Sequence, residues 1–196
     1  MRRLAIPFLL AVVLAGCSTT EPGKPSASDQ TGSAPTTGTS TGTAPVNRPK
    51  AVDLKTLDPC TLVTPEVKTA LGVRLATPGT PDPEYGAGSK ACGNNYEDRT
   101  YSSAIHTLLN GGVDRLKRTV GEAELTPLQV AGYPAYLDQR ETKNIGPACD
   151  IYIDAHDGQL LLVSAFAFAE PKATADGACA QATKLANAVG PVLATK

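Results

Sequence analysis

Asp150 and Asp154 stand two alternations apart in the run "DIYID", so a strand through them puts both carboxylates on one face. Paired carboxylates at that spacing suit acid/base work or a cation. The polar side of a surface strand produces the same spacing and is the expectation here: Ile151 and Ile153 turn inward, while Asp150, Tyr152 and Asp154 form a wet face. The chain has two histidines. His106 lies mid-strand between Ile105 and Thr107, and His156 falls in the turn "HDG"; each reads as a partly solvated polar residue rather than a general base. A nucleophile needs a base in reach, and no G-x-S-x-G occurs. "GAGSK" has the letters of a phosphate cradle without its full spacing or a preceding strand, and reads as loop. No catalytic residue and no cofactor are assigned. A hydrolase with a histidine or carboxylate dyad that spacing does not reveal is the alternative.

Recognition is then left to aromatic residues. Tyr96, Tyr101, Tyr136 and Tyr152, with Tyr133 among them, fall on or beside strand patterns. On an exposed sheet face they can bind a small apolar ligand, a glycan or an envelope protein, because the ring is apolar and the hydroxyl polar. The plainer alternative is that they finish the core.

Five cysteines leave at least one outside any intramolecular pair. Residues 1 to 16 read as a secretory signal: Arg2 and Arg3 give a positive start, and Leu4 to Leu14 form an apolar core too short to span a membrane. The segment Leu14-Ala15-Gly16-Cys17 resembles the lipobox of bacterial lipoproteins, which implies a Cys17 thiol alkylated by diacylglycerol at the mature N-terminus. An ordinary signal with a chance cysteine is the alternative. Several acyl chains hold a protein on a membrane stably where one would not. The expected location is the extracellular side of the cell membrane. Cys60, Cys92, Cys149 and Cys179 remain, and in an exported domain two disulfides are the default. With no C-x-x-C or H-x-x-x-H pair, no metal site is expected.

The chain carries 18 Lys+Arg against 19 Asp+Glu, and without Arg2 and Arg3 the balance becomes 16 to 19. No basic cluster exists beyond the signal, so nucleic acid is not an expected partner. From residue 17 to about residue 50 the sequence is Thr, Ser, Gly and Pro with almost no apolar residues. Such a tether cannot offset its ordering entropy by burial. Its root-mean-square span is on the order of 30 Å.

Residues 51–196 have the length of one domain. Thr64, Pro65 and Glu66 begin a short helix that Gly72 ends. A Pro- and Gly-rich loop follows. Strand patterns run over Cys92 to Asp98 and Tyr101 to Leu109, and Val113, Leu116 and Val120 mark a short helix after Gly111-Gly112. Two hairpins come next, around "AGYP" and around Asp157-Gly158. The run "LLLVSAFAFA" is apolar on both faces, as a covered central strand would be. Cys179, Ala182, Leu185, Ala186, Val189 and Leu193 share one stripe of a C-terminal helix that Pro191 is expected to kink or end near Gly190. The predicted class is α+β: an antiparallel sheet of about five or six strands with a short N-terminal and a C-terminal helix packed on it.

The stretch "VDLKTLDPCTLVTPEVKTALG", with Asp58-Pro59-Cys60, Leu62, Thr64 and Leu71-Gly72, resembles the actinobacterial lipoproteins grouped as domain of unknown function 3558. Cys92 and Val130-x-Gly132-x-x-Ala135 are weaker matches; where that family usually has an aromatic two residues after the second cysteine, this chain has Asn94. The resemblance implies an anchored exported domain and assigns no activity. It also favours the pairs Cys60–Cys92 and Cys149–Cys179, while spacing leaves the nested alternative, Cys60–Cys179 with Cys92–Cys149, open.

Overall fold

Asp58 accepts a hydrogen bond from the Cys60 amide at 2.9 Å, and Pro59 starts a single tight helical turn, Pro59–Leu62. This is the physical content of the Asp-Pro-Cys motif: the carboxylate caps the turn, proline pre-sets its first dihedral, and the cysteine is aimed at the sheet. Thr64 then caps α1 (Pro65–Leu71), accepting from the Val67 amide at 3.3 Å. Gly72 closes it in the left-handed region at φ +65°, where an L side chain is disfavoured.

The computed structural model describes residues 47–142, 146–167 and 172–196. The signal, Cys17 and the tether up to residue 46 lie outside the described residues. Seven strands follow: β1 (Val73–Gly79), β2 (Ala91–Tyr96), β3 (Ser102–Leu108), β4 (Thr126–Val130), β5 (Tyr133–Thr142), β6 (Gly146–His156) and β7 (Gln159–Phe166). Every neighbouring pair is antiparallel, in the order β1-β2-β3-β7-β6-β5-β4. The short helix α2 (Gly112–Leu116) lies between β3 and β4, and α3 (Ala175–Leu193) ends the domain.

The sheet has seven strands, not five or six. The missed one is β1, whose "VRLATPG" looks like loop because it carries Pro78 and Gly79. It is an edge strand, the place where proline is tolerated. The apolar run in β7 does occupy the middle of the sheet, buried on both faces.

One face carries the main core. Ile105 of β3, Ile151 and Ile153 of β6 and Leu161 and Val163 of β7 meet Ala178, Ala182, Leu185, Ala186 and Val189 of α3. The helix does not stop at Gly190; it runs through Pro191 to Leu193. Proline there removes one helical hydrogen bond only a few residues from the end, and the fully buried Leu193 holds the last turn against the core. The disulfides Cys60–Cys92 and Cys149–Cys179 tie the Pro59–Leu62 turn to β2 and β6 to α3.

The second face of β6 is not wet. Asp150 and Asp154 are 2% and 3% exposed, and Tyr152 is buried with them. Arginines and α2 cover that face, which alternation within one strand cannot reveal. Arg48, placed in the tether by composition, packs against the domain and pairs with Asp154 at 2.7 Å. The folded unit therefore includes residues before position 51.

Candidate functional site

Gly111 and Gly112 have φ of +138° and +57°, a conformation that turns the chain over the sheet and that L side chains rarely adopt. The Gly111 amide bonds Gly158 O at 3.1 Å, so α2 starts on the β6–β7 turn and lies against both strands. Opposite it, the Pro83–Tyr85 turn is held by the Leu109 amide on Tyr85 O at 2.7 Å and by Asn110 on Glu84 O. Between them is a slot of about 140 Å³. Leu108, Leu116, Val120 and Leu160 line it together with the tyrosine walls Tyr85 and Tyr152, and its charged lining residues are Glu84 and Arg115.

A charged network adjoins this slot. Asp138 of β5 and Asp150 of β6 are register partners, and Arg140 binds both: its Nε lies 3.4 Å from Asp138 Oδ2, and its Nη2 bonds Asp150 Oδ2. The Tyr152 hydroxyl donates to the same Asp150 oxygen at 3.3 Å. One tyrosine thus lines the slot with its ring and meets the carboxylate with its hydroxyl. Tyr85 does something similar on the other wall, packing edge-on against His106 with ring centroids 5.3 Å apart.

Two polar atoms in this network are buried without a partner: Asp150 Oδ1 and His106 Nδ1. A buried acceptor left unpaired costs about 1–3 kcal/mol, so each of these atoms is a local cost that the rest of the fold offsets. Burial pushes the Tyr152 hydroxyl well above its usual range, reinforced by Asp150. Burial likewise raises Tyr85 and Asp138, the latter against the pull of Arg140. It lowers His106, with Asp150 and Asp82 opposing. At neutral pH the tyrosines keep their protons and His106 is uncharged.

The tyrosines singled out from sequence do not share a surface. Tyr96 is buried on the α3 face, its hydroxyl 2.7 Å from Ser103 Oγ. Tyr101 is half-buried beside the same core and accepts the Thr174 amide at 3.0 Å, fixing the start of α3. Tyr133 is fully buried with an unpaired hydroxyl. Only Tyr136 and Tyr152 lie on the slot side, with Tyr136 at the cluster's margin. The wall that sequence reasoning missed is Tyr85, hidden in a Pro- and Gly-rich loop.

Asp150 and Asp154 do not act as a pair, because each is held by its own arginine. His156 Nδ1 lies 3.1 Å from Asp157 O, and among the described residues neither histidine is hydrogen-bonded to a carboxylate. Among them, too, no group of three or more His, Cys, Asp or Glu side chains is placed to hold a metal ion. No helix among the described residues is long and apolar enough to cross a membrane. The core position where an aromatic was expected holds Asn94, buried with its Oδ1 unpaired. A wider hollow of about 470 Å³ beside Asp53, Asp58 and Lys196 is open and carries no unpaired buried group.

No curated protein and no solved structure matches the chain. The family model described as "Protein of unknown function (DUF3558)" matches residues 12–191, which include the disulfide-tied turn, all seven strands and most of α3. The chain belongs to the DUF3558 family.

Proposed function

We propose that the protein is an anchored lipoprotein of the cell envelope that acts by binding a small ligand in the slot on the second face of its sheet. The observation that carries the binding half is the slot itself, left open between α2 and the Pro83–Tyr85 turn with Leu108, Leu116, Val120 and Leu160 against Tyr85 and Tyr152. A purely structural layer would fill the space. The slot is close to the roughly 150 Å³ that admits a benzene-sized molecule, so the ligand presents one ring or a short branched chain, and a whole acyl chain exceeds it. The anchoring half rests on the Cys17 segment, the low-complexity tether and the two disulfides.

Two experiments test the halves separately. Amide NMR of the exported, oxidised chain titrated with a neutral ring-sized probe, 2-phenylethanol, is expected to shift resonances of Leu116, Val120 and Leu160. Shifts scattered elsewhere, or none, would remove the slot as a binding site. Intact-mass analysis of membrane-extracted protein is expected to find acyl groups on Cys17 and no free thiol. An unmodified Cys17 in soluble material would overturn the anchor.

A further inference from the structure

We propose that residues 111–121 form a hinged cover over the slot, which opens to admit a ligand and closes on it. This rests on the slot being the binding site and adds how it is gated.

The cover is built differently from its surroundings. α2 spans only Gly112–Leu116, and the chain then widens into a π turn, Lys117–Gly121. Where the two meet, the Lys117 amide is shared between Val113 O and Asp114 O. The Thr119 hydroxyl donates to the loosened carbonyls of Arg115 at 3.0 Å and Leu116 at 3.2 Å. Such wide turns are rare and recur at functional sites.

Glycines bound the segment at both ends. The first end is a pivot: the Gly111 amide is tied to Gly158 O, and a Cβ on Gly112 would stand 3.0 Å from Gly158 Cα. At the other end Gly121 has φ +104°, yet a Cβ there would meet only Glu124 Cγ at 3.7 Å. Glycine is needed there for its backbone angle, not for space. The Lys117–Glu122 ion pair, at 2.6 Å, crosses this second hinge at the surface, where such a pair holds weakly.

Little fastens the cover to the sheet. Its one buried side chain is Leu116, with Val113 and Val120 partly buried. By contrast, α3 buries a stripe from Ala175 to Leu193 and is bridged to β6 by Cys149–Cys179. Residues 109–125 include no cysteine. A segment with so few buried apolar groups opens at lower cost than the whole fold. What it hides stands on fixed elements: Leu108, Tyr152 and Leu160 belong to strands flanked on both sides in the sheet. The Tyr85 wall is tied to the Leu109 amide, ahead of the first hinge. Opening therefore bares the slot and leaves the sheet intact, and closing shuts its occupant away from water.

The test is amide hydrogen exchange of the exported, oxidised chain, with 2-phenylethanol as the probe. The Lys117 amide, bonded within the cover, is expected to exchange at least a hundredfold faster than the Leu185 amide of α3. Probe at ten times its Kd should slow Lys117 about tenfold. Gly121→Ala, which lies outside the slot lining, strains only the closed form and should speed Lys117 at least fivefold. Gly72→Ala is the control, since Gly72 also has a positive φ and open space around it but sits off the cover. It should speed Leu185 through global unfolding and leave Lys117 as in wild type. Lys117 exchange that follows Leu185 in Gly72→Ala, or that ignores Gly121→Ala, overturns the cover. Probe that shifts the Leu108 and Leu160 resonances without slowing Lys117 also overturns it and leaves the slot standing. No shift at Leu108 and Leu160 removes the slot, and the cover with it.

Discussion

Arg48 grips Asp154 with two groups: its Nη2 lies 2.7 Å from the carboxylate and its Nε donates to the Asp154 carbonyl at 3.0 Å. Its Nη1 reaches the exposed Asp157 at 2.7 Å. Burial opposes the arginine's charge, but the bonds to Asp157 and Asp154 outweigh it and raise its pKa. Burial raises Asp154, while Arg48 pulls it back. Arg48→Ala would leave an almost fully buried carboxylate uncompensated, and is expected to cost about 3 kcal/mol in denaturant unfolding. Replacing both members, as Arg48→Met with Asp154→Leu, should recover most of it. A chain trimmed to begin at residue 51 should melt below one beginning at residue 47; equal midpoints would show that the clasp contributes nothing.

Gly190 gives a second test, with a reversed sign. In a helix interior, Gly→Ala usually gains about 1 kcal/mol. A Cβ at Gly190, however, would stand 2.7 Å from Val130 Cγ1 and 3.0 Å from Ala131 Cβ, where α3 crosses the β4–β5 hairpin. Gly190→Ala is therefore expected to destabilise by about 1–3 kcal/mol. Adding Val130→Ala should cost less than the separate effects summed, because it removes the nearer clash. A rise in Tm for Gly190→Ala alone would mean that the crossing has room for a methyl group.

His106 sets part of the acid sensitivity. Its folded pKa is lowered, mainly by burial, from the ordinary 6.5. Below pH 6.5 the unfolded chain binds a proton that the folded one resists, so stability falls as pH drops from there toward the folded pKa and the effect then levels off. His106→Gln should flatten that part of the Tm-against-pH curve and leave the neutral region nearly parallel to wild type. Curves that stay parallel below pH 6 would show that His106 takes its proton freely when folded.

The two disulfides span sequence separations of 32 and 30 residues. Each is expected to contribute about 3–4 kcal/mol in the chain-entropy picture. Paired serine variants, Cys60→Ser with Cys92→Ser and Cys149→Ser with Cys179→Ser, should each lower the unfolding free energy by that order. Non-reducing peptide mapping should find Cys149 joined to Cys179; a fragment joining Cys60 to Cys179 would contradict the fold.

Local chemistry is legible in the residues themselves. The Thr64 cap, the Gly72 stop, the Asp157-Gly158 hairpin and the doubly apolar β7 each depend on neighbours in sequence, where dihedral preference and periodicity act. β1 is hidden because its Pro78 and Gly79 speak against a strand; an edge position accepts them, and position in a sheet is not a local property. Pro191 misleads for the same reason, since the burial of Leu193 decides how far the helix runs.

The cysteine framework and the grounds for proposing an anchor are thus written along the chain: a thiol at residue 17, a segment too polar to bury, and four further cysteines in one domain. The slot and the network beside it are not. Tyr85, His106, Arg140, Asp150 and Tyr152 are scattered along the chain, and only strand order brings them to one face. Alternation says that Asp150 faces away from Ile151; it does not say what stands on that side. Burial and pairing are sums over distant neighbours, so a wet strand face and a covered carboxylate look alike until the sheet closes around them.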